Sequence, residues 1–255
     1  MKIVRHRTES GAAWGVLDDG VVLTAQGTPF VDFSPGKTEV GPLTEVPLLA
    51  PVTPRTVLCV GRNYRSHAEE FGNKVPDEPL LFLKPAAAVI GPGANVVYPS
   101  LSSRVDPEAE LVLVIGRTAR NVAAEDAWGV IGGYTCGNDV TARDIQKSDG
   151  QWTRGKGFDT FCPIGPWVDT DYDPSDVAVS CTVDGERRQD GRTKDLIFPI
   201  PHLIEYITRF TTLHPGDVIL SGTPEGVRPV QPGNTITVEV EGLGSLTNQV
   251  VAEPS

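Results

Sequence analysis

Nowhere in this 255-residue chain is there an apolar run near the ~20 residues that a membrane-spanning helix needs. Positive charge is scarce as well: 22 Lys and Arg stand against 33 Asp and Glu, a formal net charge of -11. Phosphate backbones are bound by concentrated Lys and Arg, so this balance argues against a nucleic-acid surface. Cysteine is sparse, and Cys59, Cys136, Cys162 and Cys181 lie far apart with no CxxC pair and no His at finger-like spacing. That excludes a zinc module and leaves structural thiols. The N-terminal MKIVRHRTES turns polar after four residues and lacks the apolar core of a signal peptide. Internal repeats and low-complexity tracts are missing too. The expectation is a cytoplasmic globular protein, long enough for one large domain or two unequal ones.

What is present is dense punctuation, 27 Gly and 22 Pro, between short apolar runs. Residues 1–52 carry alternating runs broken at Asp18-Asp19-Gly20, a hairpin signal, which predicts a small β-rich N-terminal domain. Pro42 to Pro54 holds proline among apolar residues and predicts an extended, packed connection, with a second, larger domain over 53–255. Thr56 to Val60 and Leu111 to Ile115 are β-branched, continuously apolar runs, as buried strands are, and Val177 to Val183, Val218 to Leu220 and Thr235 to Val240 repeat the pattern. Helices are predicted over Tyr64 to Phe71, Ala123 to Gly129 and Ile200 to Phe210. The fold class is therefore α+β, mostly β.

Asp106-Pro-Glu108-Ala-Glu110 runs straight into the buried strand Leu111 to Ile115. Residues two apart on a strand share a face, so Glu108 and Glu110 point the same way. Like charges held together in a partly buried place share a proton or need a cation between them. All-oxygen ligation favours Mg²⁺, with Mn²⁺ or Ca²⁺ as alternatives. Asp139, which follows the apolar run Val130 to Tyr134, supplies a third carboxylate. The bland alternative is a solvated strand entrance and a turn-forming Asp. His67 and Glu70, three apart on the first predicted helix, share a face and can pair, the carboxylate orienting the imidazole as a base toward water.

Taken together, Val60-Gly-Arg-Asn-Tyr64 with His67, Leu81-Phe-Leu-Lys-Pro85, Glu108-Ala-Glu110-Leu, Asn138-Asp-Val-Thr-Ala-Arg-Asp144, Lys156-Gly-Phe and Ser221-Gly-Thr-Pro-Glu-Gly226 resemble the fumarylacetoacetate hydrolase family, in order and spacing, over about residues 55–250. The resemblance implies that family's mixed β-sandwich roll, a homodimer, and Glu108, Glu110 and Asp139 as metal ligands. It also implies a lid carrying His67 and Glu70, and a small 2-oxo or enol carboxylate substrate. Lys156 joins His67 and Glu70 as catalytic, while Lys84 and Gln146 surround the substrate. Thr223 is implied to hold the substrate carboxylate by its hydroxyl and amide. Arg62 and Arg143 either bind substrate or hold acidic side chains. The His67–Glu70 pair favours C–C hydrolysis of an acylpyruvate or β-diketo acid. Isomerisation of 2-hydroxyhepta-2,4-diene-1,7-dioate and decarboxylation of an oxaloacetate-like acid remain as alternatives. From another class, so does metal-dependent binding of a small ligand without turnover.

Overall fold

The computed structural model of the chain describes residues 1–70, 72 and 74–254. Two sheets carry most of it. The larger has twelve strands, running in space from Ser34–Pro42 through Val21–Gln26, Gly11–Asp18, Lys2–Thr8, Cys162–Asp169, Ile131–Asn138, Ala109–Ile115, Val218–Leu220 and Val57–Gly61 to Leu80–Lys84. Its two short additions are Leu48–Leu49 and Val89–Ile90. The smaller has five strands: Glu186–Arg192, Ala178–Val183, Thr235–Val240, Gly244–Ala252 and Val96–Tyr98. The α+β, mostly β expectation holds.

The strand Ala109–Ile115 explains why the central runs read as unbroken apolar sequence. Leu111, Leu113 and Ile115 join a core with Val179, Cys181, Val238, Val240 and Leu246 of the second sheet and with Leu203, Ile204 and Ile207. Val112 and Val114 point the other way, into a cluster with Val57, Cys59, Cys162, Ile164, Val218 and Leu220. A strand covered on both faces loses polar alternation. The four cysteines are free and buried.

The hairpin signal is real. Asp18 pairs with Val21, and Asp19 and Gly20 take φ values of 43° and 79°, the left-handed pair that a two-residue turn requires. The Pro42–Pro54 connection is extended and packed: Leu48–Leu49 pairs with Arg5 and His6, and Ala50 and Val52 are buried. The first predicted helix is Arg65–Glu70, and Phe71 lies outside the described residues. Ala124–Gly129 is a 3₁₀ helix, and the helix beginning at Ile200 ends at Thr208. Among the described residues no helix is long and apolar enough to cross a membrane.

The N-terminal strands do not stand apart from the rest. Lys2 and Ile3 pair with Asp169 and Val168, so residues 1–52 extend the same sheet that carries the acidic motif. A second tie is Asp217, buried at the start of Val218–Leu220. Its Oδ1 accepts the N–H groups of Arg55 and Thr56 at 3.1 and 2.8 Å, and its Oδ2 accepts that of His214 at 2.8 Å. Asp217→Ala leaves all three donors without that acceptor and is expected to cost about 3 kcal/mol or more, read as a lowered urea midpoint at unchanged slope.

Candidate active site

Antiparallel register assembles the carboxylates. Ala109 lies opposite Asn138 and Glu110 opposite Gly137, so Glu108, just before one strand, meets Asp139, just after the other. The Glu108 N–H donates to Asn138 Oδ1 at 2.9 Å, and the Asp139 N–H donates to the Glu108 carbonyl at 2.9 Å. Gly137 is required here, because a Cβ would stand 2.3 Å from Val112 Cγ2. Glu108, Glu110 and Asp139 are all buried, with one oxygen of each within 4.8 Å of the others.

The charges around them do not balance evenly. Lys156 Nζ donates to Glu108 Oε2 at 2.9 Å, Asp139 Oδ2 at 2.6 Å and Thr141 Oγ1 at 2.9 Å. Lys84 Nζ donates to Asp139 Oδ1 at 2.5 Å and to the Val140 carbonyl at 3.0 Å. Arg143 donates to Glu108, to Asp106 Oδ2 at 2.8 Å and to Gln146 Oε1 at 2.8 Å. Burial opposes ionisation of Glu108, but Lys156 and Arg143 outweigh it and hold this carboxyl well below its usual range. Glu110 goes the other way: burial, then the Asp139 and Glu108 charges, push it well up, against the N–H that Gly222 donates to its Oε2 at 2.6 Å. The cations thus gather on Glu108 and Asp139, while Glu110 takes the backbone N–H of Gly222.

Three buried carboxyls that converge and offer only oxygen fit a hard divalent cation held by Glu108, Glu110 and Asp139. Ligation requires Glu110 to give up its proton, so binding of the ion and release of a proton are linked.

A cavity of about 360 Å³ opens over these groups, lined also by Arg62, His67, Arg143, Gln146, Lys156 and Thr223. Most residues singled out in the sequence are thus brought together. Lys84 is not on this wall: its ammonium is wholly buried behind Asp139, where it supports a carboxylate and does not face a substrate. Arg143 contacts Glu108 and Gln146 and also lines the cavity. Thr223 Oγ1 donates to the Ala109 carbonyl at 2.8 Å, so its proton is already committed. His67 lines the cavity and Glu70 stands behind it, with 3.5 Å between Nδ1 and Oε2. Glu70 is held in turn by the Gly226 N–H at 3.2 Å to each oxygen. Burial opposes its ionisation, but the His67 contact and the Gly226 bond outweigh it and keep the carboxyl below its usual range.

Several lining groups were not anticipated. Phe82 and Trp152 meet edge to face, centroids 5.3 Å apart, and form the apolar wall with Lys156 above both rings. Trp152 fits only because residue 61 is glycine, where a Cβ would come within 2.6 Å of the indole. Arg62, at φ 61°, lies over the same indole, 5.7 Å from its centroid. Arg104 and Lys147 also reach the cavity. Phe82 sits inside a segment quoted above and Trp152 does not, and neither periodicity nor charge marks either.

Comparison with known proteins accords with this geometry. The family profile described as Fumarylacetoacetate (FAA) hydrolase C-terminal matches residues 56–251. The chain belongs to the fumarylacetoacetate hydrolase family. A second profile, Rv2993c-like, N-terminal, matches residues 1–51. The structure of 2-hydroxyhepta-2,4-diene-1,7-dioate isomerase from Mycobacterium marinum is 41% identical, covers both chains fully and superposes with a TM-score of 0.92. Mitochondrial oxaloacetate tautomerase FAHD2B from Bos taurus is 43% identical over 223 residues, 82% of this chain and 71% of the relative. A fumarylpyruvate hydrolase from Pseudomonas aeruginosa, solved with Mn²⁺ and pyruvate, is 39% identical over 80% of this chain and 91% of its own, with a TM-score of 0.75.

The segment beside this family site is pinned by an acid-sensitive group. Asp144 accepts Ser102 Oγ at 2.6 Å, the Ser103 N–H at 2.8 Å and Ser103 Oγ at 2.9 Å. Burial opposes its ionisation, but these bonds outweigh it and lower the carboxyl from 3.8 to about 2. A depressed carboxyl stabilises the fold above its unfolded pKa and loses that contribution as pH falls through the folded one. Wild type is therefore expected to exceed Asp144→Asn in stability at neutral pH, with the difference disappearing between about pH 4 and pH 2 in acid-unfolding curves.

Proposed function

We propose that this chain is a divalent-metal-dependent enzyme, with Mg²⁺ the expected ion, that moves a proton along a small 2-oxo or enol dicarboxylate. The buried Glu108, Glu110 and Asp139 cluster facing His67 across one cavity carries this reading. When bound, the cation supplies Lewis-acid stabilisation of the negative charge of the enolate. Lys84 and Lys156 neutralise the ligand carboxylates and keep them in place. His67, with Nδ1 turned to Glu70, keeps Nε2 as its basic atom. It takes a proton from the carbon beside the carbonyl and returns it to oxygen or to the far end of the conjugated system. Atoms and charge are conserved, as tautomerisation or double-bond isomerisation requires. Phe82 and Trp152 pack on the planar carbon chain and exclude water.

Charge on the cavity wall favours a dicarboxylate. Among the described residues Arg62 and Lys147 line it without an acidic partner, whereas Arg104, Arg143 and Lys156 are paired. One substrate carboxylate would lie beside the cation and the other near Arg62 and Lys147. The isomerase and tautomerase relatives support proton transfer as the reaction. C–C hydrolysis is the second reading, favoured by the Glu70 buttress, which suits His67 to activating water, and by the fumarylpyruvate hydrolase.

The test uses protein stripped with EDTA and given oxaloacetate, a conjugated enol dicarboxylate or acetylpyruvate, with and without Mg²⁺. Metal-dependent keto–enol or double-bond conversion of a dicarboxylate, followed by ultraviolet absorbance, is expected. Acetate plus pyruvate from acetylpyruvate would establish hydrolysis instead. Turnover indifferent to metal would remove the role given to the three carboxylates.

A further inference from the structure

Glu186–Arg192 reads ERRQDGR, and Gln189 is its one buried residue. A carboxamide buried on such a strand must find partners, and here they form a closed circuit. Gln189 Oε1 accepts the Ala109 N–H at 2.9 Å. Its Nε2 donates to Thr223 Oγ1 and to the Pro224 carbonyl, each at 2.8 Å. Thr223 Oγ1 returns to the same residue, donating to the Ala109 carbonyl at 2.8 Å. The partners fix the amide's orientation, since the Ala109 N–H demands an acceptor and the Pro224 carbonyl a donor.

Ala109 is the residue between Glu108 and Glu110, and Thr223 lines the cavity from the loop whose Gly222 N–H binds Glu110. Gln189 thus ties the peptide that spaces two carboxylates to the loop that faces the substrate. With its proton on Ala109 and one lone pair taken by Gln189, Thr223 Oγ1 can offer a ligand only its remaining lone pair. It is an acceptor toward the cavity.

We propose that Gln189 is a positioning residue: it locks the Thr223 hydroxyl as an acceptor and sets the Ser221–Gly226 loop against the Glu108–Glu110 segment. Two consequences follow for the ligand. The Thr223 oxygen selects a protonated partner, such as an enol or hydroxyl O–H, and carboxylate recognition falls to the loop's backbone. This inference rests on the reading that the cavity binds a carboxylate beside a divalent cation.

Oxalate, an unreactive planar dicarboxylate, serves as the probe, titrated calorimetrically with Mg²⁺ present, alongside Mg²⁺ alone and kcat and KM on the substrate found above. Gln189→Met removes the amide, and Thr223→Val removes only the hydroxyl in case the first variant folds poorly. Each is expected to keep Mg²⁺ affinity within about 3-fold and lose oxalate affinity by about 10- to 100-fold at temperatures where its melt shows it fully folded, with KM rising by the same factor; oxalate has no O–H to give the Thr223 oxygen, so this loss reads the displaced backbone of the Ser221–Gly226 loop. Because the circuit acts as one unit, the double variant is expected to be no weaker than the weaker single one. Near wild-type oxalate binding in both variants, or additive losses, overturns the assignment of Gln189. Absence of Mg²⁺-dependent oxalate binding in the wild-type protein overturns the functional reading and this inference with it.

Discussion

Glu110→Gln is expected to abolish metal-dependent turnover while leaving the metal-free protein as stable as wild type or more so. The carboxyl is buried between Glu108 and Asp139 and is pushed well above its usual range, so in the absence of a cation its charge is a liability. The Gln side chain has the same shape, can still accept the Gly222 N–H, which donates at 2.6 Å in the wild type, and never has to carry the buried charge. With the cation the sign reverses. A bound Mg²⁺ stabilises only the chain that ligates it, by about 2.7 kcal/mol at a hundred times Kd. Wild type should therefore melt at a clearly higher temperature with Mg²⁺ than with EDTA, and Glu110→Gln should show no such gap. Loss of several kcal/mol of charge stabilisation corresponds to a fall in kcat/KM on the order of 10³-fold or more. A variant that kept the Mg²⁺-dependent melting shift would place the ion elsewhere.

His67→Gln is expected to separate chemistry from metal binding. The imidazole lines the cavity with Glu70 behind it at 3.5 Å and makes no contribution to the carboxylate cluster's oxygen set. A positioned general base contributes roughly 10²- to 10⁴-fold, so kcat should drop by that factor while the Mg²⁺ melting shift persists. Glu70→Gln should cost less, because it acts through the orientation of His67. An unchanged kcat in His67→Gln would mean that another group moves the proton.

How much of this was legible depended on what each segment buries. Ala109–Ile115 announced itself because apolar neighbours cover both its faces, and the acidic residues at its start then stood out as an anomaly with few physical explanations. Glu186–Arg192 gave no such signal. It is a largely exposed strand of charged residues whose single inward side chain is polar, so neither alternation nor hydrophobicity marked it, and Gln189 went unseen. The helices Arg143–Asp149 and Thr153–Lys156 are too short for a 3.6-residue period to show. Lys84 was recognisable as part of a motif, but which side of Asp139 it occupies is set by the edge strand Leu80–Lys84 pairing with Val57–Gly61, a long-range fact. The Phe82–Trp152 wall depends on the absent side chain of Gly61, and a missing atom leaves no pattern to read.

The pairing of Ala109 with Asn138 also ties assembly of the ligand cluster to folding. Slippage by a single residue would turn Glu110 toward the apolar layer between the sheets and send Leu111 to the cavity, since successive side chains alternate faces. No misaligned arrangement of these two strands can gather the three carboxylates. A divalent cation present during refolding would therefore recognise one alignment among many and act as a proofreader, withdrawing correctly paired chains from the pool of near-misses.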